Sequence, residues 1–221
     1  MGTMVRMFEA AITEGCRKTL ESLGQYDFVN QFYLAGGTAL ALQLGHRVST
    51  DLDWFSTSNP LTDVERAEIH DALSRQGDFE VASEQDGMLF AKMFDTDVSF
   101  IHQPHPLLES TINYGGVQLA SPTDIGLMKL AAINARGTRR DFIDVYCLRN
   151  TISLDRLLEL AGTKYSNRPS FLAVASRALS YFDDAEQQPM PELLHPVSWE
   201  DVRDYCEAAA RQLARRLSGL I

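Results

Sequence analysis

The chain has 221 residues, 45% of them hydrophobic, and carries 30 acidic against 20 basic side chains for a net charge of −10. That length and apolar content suit one domain with a sizeable core, or a domain plus a helical appendage, and exclude a disordered chain. The acidic balance excludes broad nonspecific nucleic-acid binding, which needs a positive face, but leaves room for a local basic groove. No apolar run approaches the length of a membrane span. Cys16, Cys147 and Cys206 are widely spread and odd in number. They form neither a metal-ligand spacing nor a disulfide framework, which predicts reduced core thiols in a cytoplasmic protein.

Val5, Phe8, Ile12, Cys16, Leu20 and Leu23 recur at helical steps and predict an amphipathic helix from about residue 4 to 23. Glu9 and Glu14 interrupt its apolar pattern, so this stretch is not expected to be a signal peptide. Phe32–Ala35 reads as a strand, Thr38–Leu44 as a helix and Leu52–Phe55 as a strand. Between the first two lies Gly36-Gly37-Thr38, and the third is entered through Asp51-Leu52-Asp53. Alternate strand residues share a face, so Asp51 and Asp53 project side by side while Leu52 enters a core. Adjacent carboxylates repel, and a hard cation such as Mg2+ relieves that cost. A glycine pair before a helix places free N–H groups and the positive end of the dipole where a phosphate can sit. Taken singly, each motif reads as a solvated strand end or a tight turn; their order and spacing join a metal place to a phosphate place. His46 and Arg47 lie between the motifs, either as cations at a helix end or, for Arg47, as a clamp on phosphate or on the Asp pair.

Asn59-Pro60 breaks the chain, and a helix is expected from Leu61 to about Gln76. Phe79–Ser83 and Met88–Phe94 read as a hairpin joined through Asp86-Gly87, followed by a strand Asp97–His102. His102 and His105 flank Gln103-Pro104 and read as loop residues. The second half reads helical. Ser121-Pro122-Thr123-Asp124 is an N-terminus signature for a helix to about Ala135, stopped by Gly137. Helices are also expected over Arg139–Arg149, after Ser153, from near Pro169 to Tyr181, and after Ser198, with the proline-containing segment 183–196 as a linker.

Lys129 stands on a mostly apolar helix, where it either carries its ammonium to water or reaches a phosphate as a point charge. Asp141 and Asp144 share a helix face, and Asp144 can pair with Arg140. Arg136, Arg139 and Arg140 form one basic cluster, and Arg211, Arg215 and Arg216 another that reads as a solvated helix face.

The segments GGTALAL and GHRVSTDLD resemble the first motif of the AbiEii/AbiGii-type nucleotidyltransferase toxins, within the DNA polymerase β-like nucleotidyltransferase superfamily. VSFIHQPHPLL, over 98–108, and KLAAINARGTRRDFIDVYCL, over 129–148, resemble the family's later strand and its lysine, basic pair and Asp-x-x-Asp pattern. The resemblance covers roughly residues 30 to 150. It implies an α+β fold: a nucleotidyltransferase-like mixed sheet with flanking helices over 1–120, including the N-terminal helix, and a C-terminal helical region over 121–221 packed on that core. It implies a Mg2+- or Mn2+-dependent transfer of NMP from an NTP to an RNA acceptor such as tRNA, by a toxin with a cognate antitoxin and no membrane association. Asp51 and Asp53 would hold metal; Gly36, Gly37, Thr38, Arg47, Lys129 and Arg140 would bind nucleotide; Lys129, Asp141 and Asp144 would join the catalytic set.

One departure stands out. The superfamily commonly carries a third carboxylate on a later strand, and here Ser99 takes that place, with Asp97 two residues earlier on the same face. A serine is no base at neutral pH without an activating partner. Asp97, Asp141 or Asp144 would then supply the missing charge, or two carboxylates suffice. A kinase-like phosphotransferase and a non-catalytic nucleotide-binding module are the alternatives.

Overall fold

The alternation in Asp51-Leu52-Asp53-Trp54-Phe55-Ser56 fixes which way the central strand faces. Leu52 and Trp54 are fully buried, while Asp51, Asp53 and Phe55 are half-buried. In the computed structural model, which describes residues 7–74 and 78–219, the chain forms two compact units, Met1–Ser121 and Pro122–Ile221.

The first unit is built on a seven-stranded sheet. Its strands are β1 (Tyr33–Leu34), β2 (Asp51–Ser56), β3 (Phe79–Gln85), β4 (Met88–Met93), β5 (Thr96–His102), β6 (Ile112–Tyr114) and β7 (Val117–Leu119). Their spatial order is β3-β4-β5-β2-β1-β7-β6. β2 runs parallel to β5 and antiparallel to β1, and β1 runs parallel to β7. Three helices accompany the sheet: α1 (Glu14–Leu23), α2 (Gly36–Leu44) and α3 (Asp63–Leu73). Trp54 stacks on Phe100 with centroids 6.1 Å apart, and Phe32 meets the edge of Phe100 at 5.2 Å. Truncating Phe100 to alanine would cost about 3–5 kcal/mol on the usual scale for a buried aromatic.

The periodic stretch at the start is not one helix. Glu9–Ala11 forms a short 3-10 turn, Ile12 is extended and bridges to Ser49, and α1 begins only after Thr13. Thr13 accepts a hydrogen bond from Cys16 N at 3.2 Å, so a capping residue inside the apolar pattern restarts the helix. Residues 4–6 of the expected helix lie outside the described residues. α3 opens with a capping box between Thr62 and Glu65 and ends at Leu73; Arg75 and Gln76 of the expected helix lie outside the described residues. Gly87 takes φ +81° in the β3–β4 turn, the left-handed conformation that a tight hairpin requires. The β6–β7 hairpin was not anticipated, although Gly115-Gly116 between Tyr114 and Val117 is a hairpin signal.

The second unit is helical: α4 (Pro122–Ala135), α5 (Arg139–Cys147), α6 (Leu154–Lys164), α7 (Phe171–Ala178), α8 (Asp183–Glu186) and α9 (Trp199–Leu217). Thr138, Ser153 and Ser198 cap α5, α6 and α9 through their side chains. α7 stops at Ala178, before the expected Tyr181, and the segment expected as linker begins with the single turn of α8. Leu127, Leu130, Phe142, Leu157, Val202 and Leu213 belong to one buried cluster. Phe142, Phe182 and Trp199 meet mutually at 5.1–6.1 Å. Lys164 and Asp124 form an ion pair at 2.6 Å with both side chains almost wholly buried.

Candidate active site

The Gly36-Gly37-Thr38 turn lies directly against β2. Gly36 takes φ +65°, and a Cβ there would overlap the carboxylate of Asp53. Glycine is therefore required twice at this position, by conformation and by space. A Cβ on Gly37 would collide with the Arg47 guanidinium and come within 3.0 Å of Ser49 Oγ. Ala35 N donates to Asp53 O at 3.0 Å, and the Thr38 hydroxyl donates to Asp51 O. The N-cap Ala35 offers α2 no side-chain acceptor. The first turn of α2 thus presents backbone donors beside two carboxylates.

Arg47 does not sit at a solvated helix end. It is only 2% exposed and lies beneath the Gly-Gly turn. Its Nη1 donates to Val48 O at 3.1 Å and to Ser49 Oγ at 3.3 Å, and Ser49 Oγ is 3.3 Å from Asp51 Oδ1. Arg47 therefore reaches the acid pair through Ser49, from the protein side. His46 is also buried. Ser49 was not singled out in the sequence; its position two residues before Asp51 is the only signal it gives.

Across the β2–β5 ladder Asp51 faces Asp97 and Asp53 faces Ser99. Ser99 Oγ donates to Asp53 Oδ1 at 2.7 Å. Asp97 is largely exposed and pairs with Lys92 at 2.9 Å. Lys92 also faces Glu80 on β3, so one row across the sheet reads Glu80, Lys92, Asp97, Asp51. Register, which the sequence does not reveal, brought Lys92 into this row.

In the second unit Lys129 Nζ lies 2.9 Å from Asp141 Oδ1 and 2.7 Å from Asp144 Oδ2. The lysine is 8% exposed and Asp144 is fully buried. Thr138 Oγ1 donates to Asp141 Oδ2 at 2.6 Å, and Arg136 Nε approaches the same oxygen at 3.5 Å. Burial pushes the Asp141 carboxyl up, but Lys129, the Thr138 hydrogen bond and Arg136 outweigh it and leave it below its ordinary value. Arg140 is exposed on the first turn of α5. Arg139 donates to Ala185 O and Glu186 O and lies over the Trp199 ring, which makes it a tie to α8. The two groups of residues belong to different compact units.

Among the described residues no group of three or more His, Cys, Asp or Glu is arranged to hold a metal. Asp51 and Asp53 supply two hard oxygen donors on one strand face. Mg2+ is commonly held by one or two carboxylates, with phosphate oxygens and water completing its shell, so the donor set fits.

The model of the family described as nucleotidyl transferase AbiEii toxin, Type IV TA system, matches residues 18–214. The uncharacterized protein aq_aa25 of Aquifex aeolicus (strain VF5) is 33% identical over 201 residues, covering 89% of this chain and 94% of that protein. Among solved structures, the antibiotic-resistance factor ANT(2'')-Ia superposes with a TM-score of 0.55 at 15% identity, over 72% of this chain and 96% of that one. JHP933 from Helicobacter pylori matches 93% of this chain and 91% of its own, with a TM-score of 0.48 and 16% identity. The mixed sheet with flanking helices is the fold shared with ANT(2'')-Ia over the superposed part. The chain belongs to the AbiEii nucleotidyltransferase toxin family.

Proposed function

We propose that the protein moves NMP from an NTP to an acceptor hydroxyl, on RNA such as a tRNA end, in a Mg2+- or Mn2+-dependent reaction. The observation that carries this reading is the Gly-Gly turn laid against the Asp51–Asp53 strand, with Gly36 in contact with Asp53 and Gly37 over Arg47. Asp51 and Asp53 would hold the metal, which when bound would supply charge neutralisation for the triphosphate and for the attacking and leaving oxygens. Backbone N–H groups of Gly36, Gly37 and Thr38 receive phosphate oxygens. Arg47 acts from beneath, through Ser49, as a fixed positive charge under the turn. Ser99 orients Asp53. On the family's lysine, basic-pair and Asp-x-x-Asp pattern, Lys129, Asp141 and Asp144 are assigned to catalysis and Arg140 to nucleotide binding. In-line phosphorus chemistry asks a protein mainly for positioning and fixed charge, and these residue types supply both.

Family membership supports action as a toxin restrained by a cognate antitoxin, in the cytoplasm. Among the described residues no helix is long and apolar enough to cross a membrane. Ser99, at the place of a third carboxylate, favours a second reading: a non-catalytic nucleotide-binding module. The deciding experiment incubates the chain with each α-labelled NTP, Mg2+ and total RNA. Labelled RNA and released pyrophosphate are expected, both lost in Asp51→Asn and Asp53→Asn. Transfer of γ-label without pyrophosphate would make the protein a phosphotransferase. Metal-dependent NTP binding without turnover would make it a binding module.

A further inference from the structure

Arg136, Arg168 and Arg177 collect on one part of the second unit. A groove of about 780 Å³ runs between the end of α4 and α7, bordered by Asn134, Arg136, Val174, Arg177 and Tyr181. Past Asn134, Ala135 and Val174 it continues into a hollow of about 330 Å³ that Arg168 borders. In a chain of net charge −10, Asp184 is the single carboxylate on either lining. Arg168 and Arg177 are exposed and pair with no carboxylate among the described residues. Arg136 is 67% exposed in its side chain and reaches Asp141, which Lys129 grips from the other side. The groove therefore opens beside the Lys129–Asp141 cluster.

Its remaining chemistry suits bases. Tyr181 is 53% exposed and Val174 39%, a flat ring and an apolar edge on the surface of the same groove. Asn134 donates its Nδ2 to Phe171 O at 3.3 Å, while its Oδ1 is buried without a hydrogen-bond partner among the described residues.

We propose that this groove binds single-stranded RNA and leads the acceptor end toward the Lys129–Asp141 cluster. The arginines are spread along two joined hollows and do not converge on one point, which fits a row of phosphates better than a single anion. An exposed aromatic ring beside spaced cations is the arrangement that holds unpaired strands, since every base has a face to stack. The identity of this strand as the acceptor rests on the nucleotidyl-transfer reading; the binding itself does not need it.

The test measures fluorescence anisotropy of a labelled single-stranded RNA of about 12 nucleotides with the full chain, without NTP or metal. Wild type should bind, more weakly as salt rises. Arg168→Ala/Arg177→Ala should weaken binding about tenfold and flatten the salt dependence by about 0.7 in log–log slope per lost contact. Tyr181→Ala should weaken it about fivefold or more, and Tyr181→Phe should restore it. Arg149→Ala/Arg156→Ala removes the same charge outside the groove and should leave affinity near wild type; thermal melts check that each variant is folded. The proposal fails if wild type does not bind, or if the two double variants lose equally. It also fails if Tyr181→Ala has no effect while poly-glutamate displaces the RNA at equal charge, which would assign the groove to an acidic protein segment. Pyrophosphate release without RNA binding would sink the groove alone. RNA binding through these residues without pyrophosphate release would sink the transfer reading alone.

Discussion

Ser99 stands directly opposite Asp53 in the β2–β5 ladder and donates its hydroxyl to Asp53 Oδ1 at 2.7 Å. A serine here does what a third carboxylate cannot: it holds Asp53 in place without adding charge. Ser99→Ala should therefore slow transfer while changing stability by only about 1 kcal/mol, the scale of one hydrogen bond. Ser99→Asp should behave differently. It sets a new carboxylate against Asp53, so its melting temperature should fall in EDTA and recover when Mg2+ is added. A Ser99→Asp protein whose melting temperature ignores Mg2+ would show that no cation enters between these residues.

Gly36 and Gly115 both take positive φ, +65° and +58°, but only Gly36 has a neighbour where a Cβ would go. Gly115→Ala should cost about 1 kcal/mol, the conformational penalty alone. Gly36→Ala should cost more, because Asp53 must also move, and should abolish transfer. Urea midpoints of the two variants compare the terms directly. Equal losses would mean that the Gly36–Asp53 contact relaxes freely.

Much of this site is local in sequence, and for that reason it was legible. The Gly-Gly turn, the helix after it and the Asp-x-Asp strand span residues 36–53 and follow from turn chemistry and period-2 alternation. The capping residues Thr138, Ser153 and Ser198 likewise mark α5, α6 and α9 within a few residues. What sequence did not disclose is set by register and burial. Arg47 follows a helix and precedes a strand, so it resembles a solvated cation, yet folding carries it under Gly37. Lys92 meets Asp97 only because β4 and β5 pair in one register among several. The first helix shows the same limit: apolar period continued through Ile12, but a bridge to Ser49 and the Thr13 cap outcompeted it locally.

Lys129 is held by two carboxylates that are almost fully buried, Asp141 at 2.9 Å and Asp144 at 2.7 Å. Lys129→Ala would leave Asp144 without the lysine and Asp141 with only the 3.5 Å approach of Arg136, a change of about 3–5 kcal/mol. A loss of activity in that variant would thus mix unfolding with chemistry. Lys129→Met/Asp144→Asn removes one of the stranded charges and should recover part of the lost stability. If that double variant is folded but does not bind NTP, while Asp144→Asn alone does, the lysine serves the ligand. If it binds NTP as wild type does, the lysine serves only the helix pair. A double variant no more stable than Lys129→Met would show that Asp144 does not depend on the lysine.

Asp141 offers a pH test of the same cluster. Burial raises its carboxyl, yet Lys129, Thr138 and Arg136 together draw it below the ordinary value of about 3.9. A group depressed on folding contributes stability that is fully present above its unfolded value and is lost as pH falls through its folded value. The contribution of Asp141 should therefore be intact at neutral pH and disappear below about pH 4. Asp141→Asn should be less stable than wild type near pH 7, with the gap narrowing as the solution is acidified through that range. Chemical denaturation of both proteins across the same pH series reads the difference, in which the surface carboxylates common to both largely cancel. A gap that stays constant down to the lowest pH at which both proteins fold would mean that the Asp141 charge contributes nothing, and that the asparagine variant suffers only from lost packing.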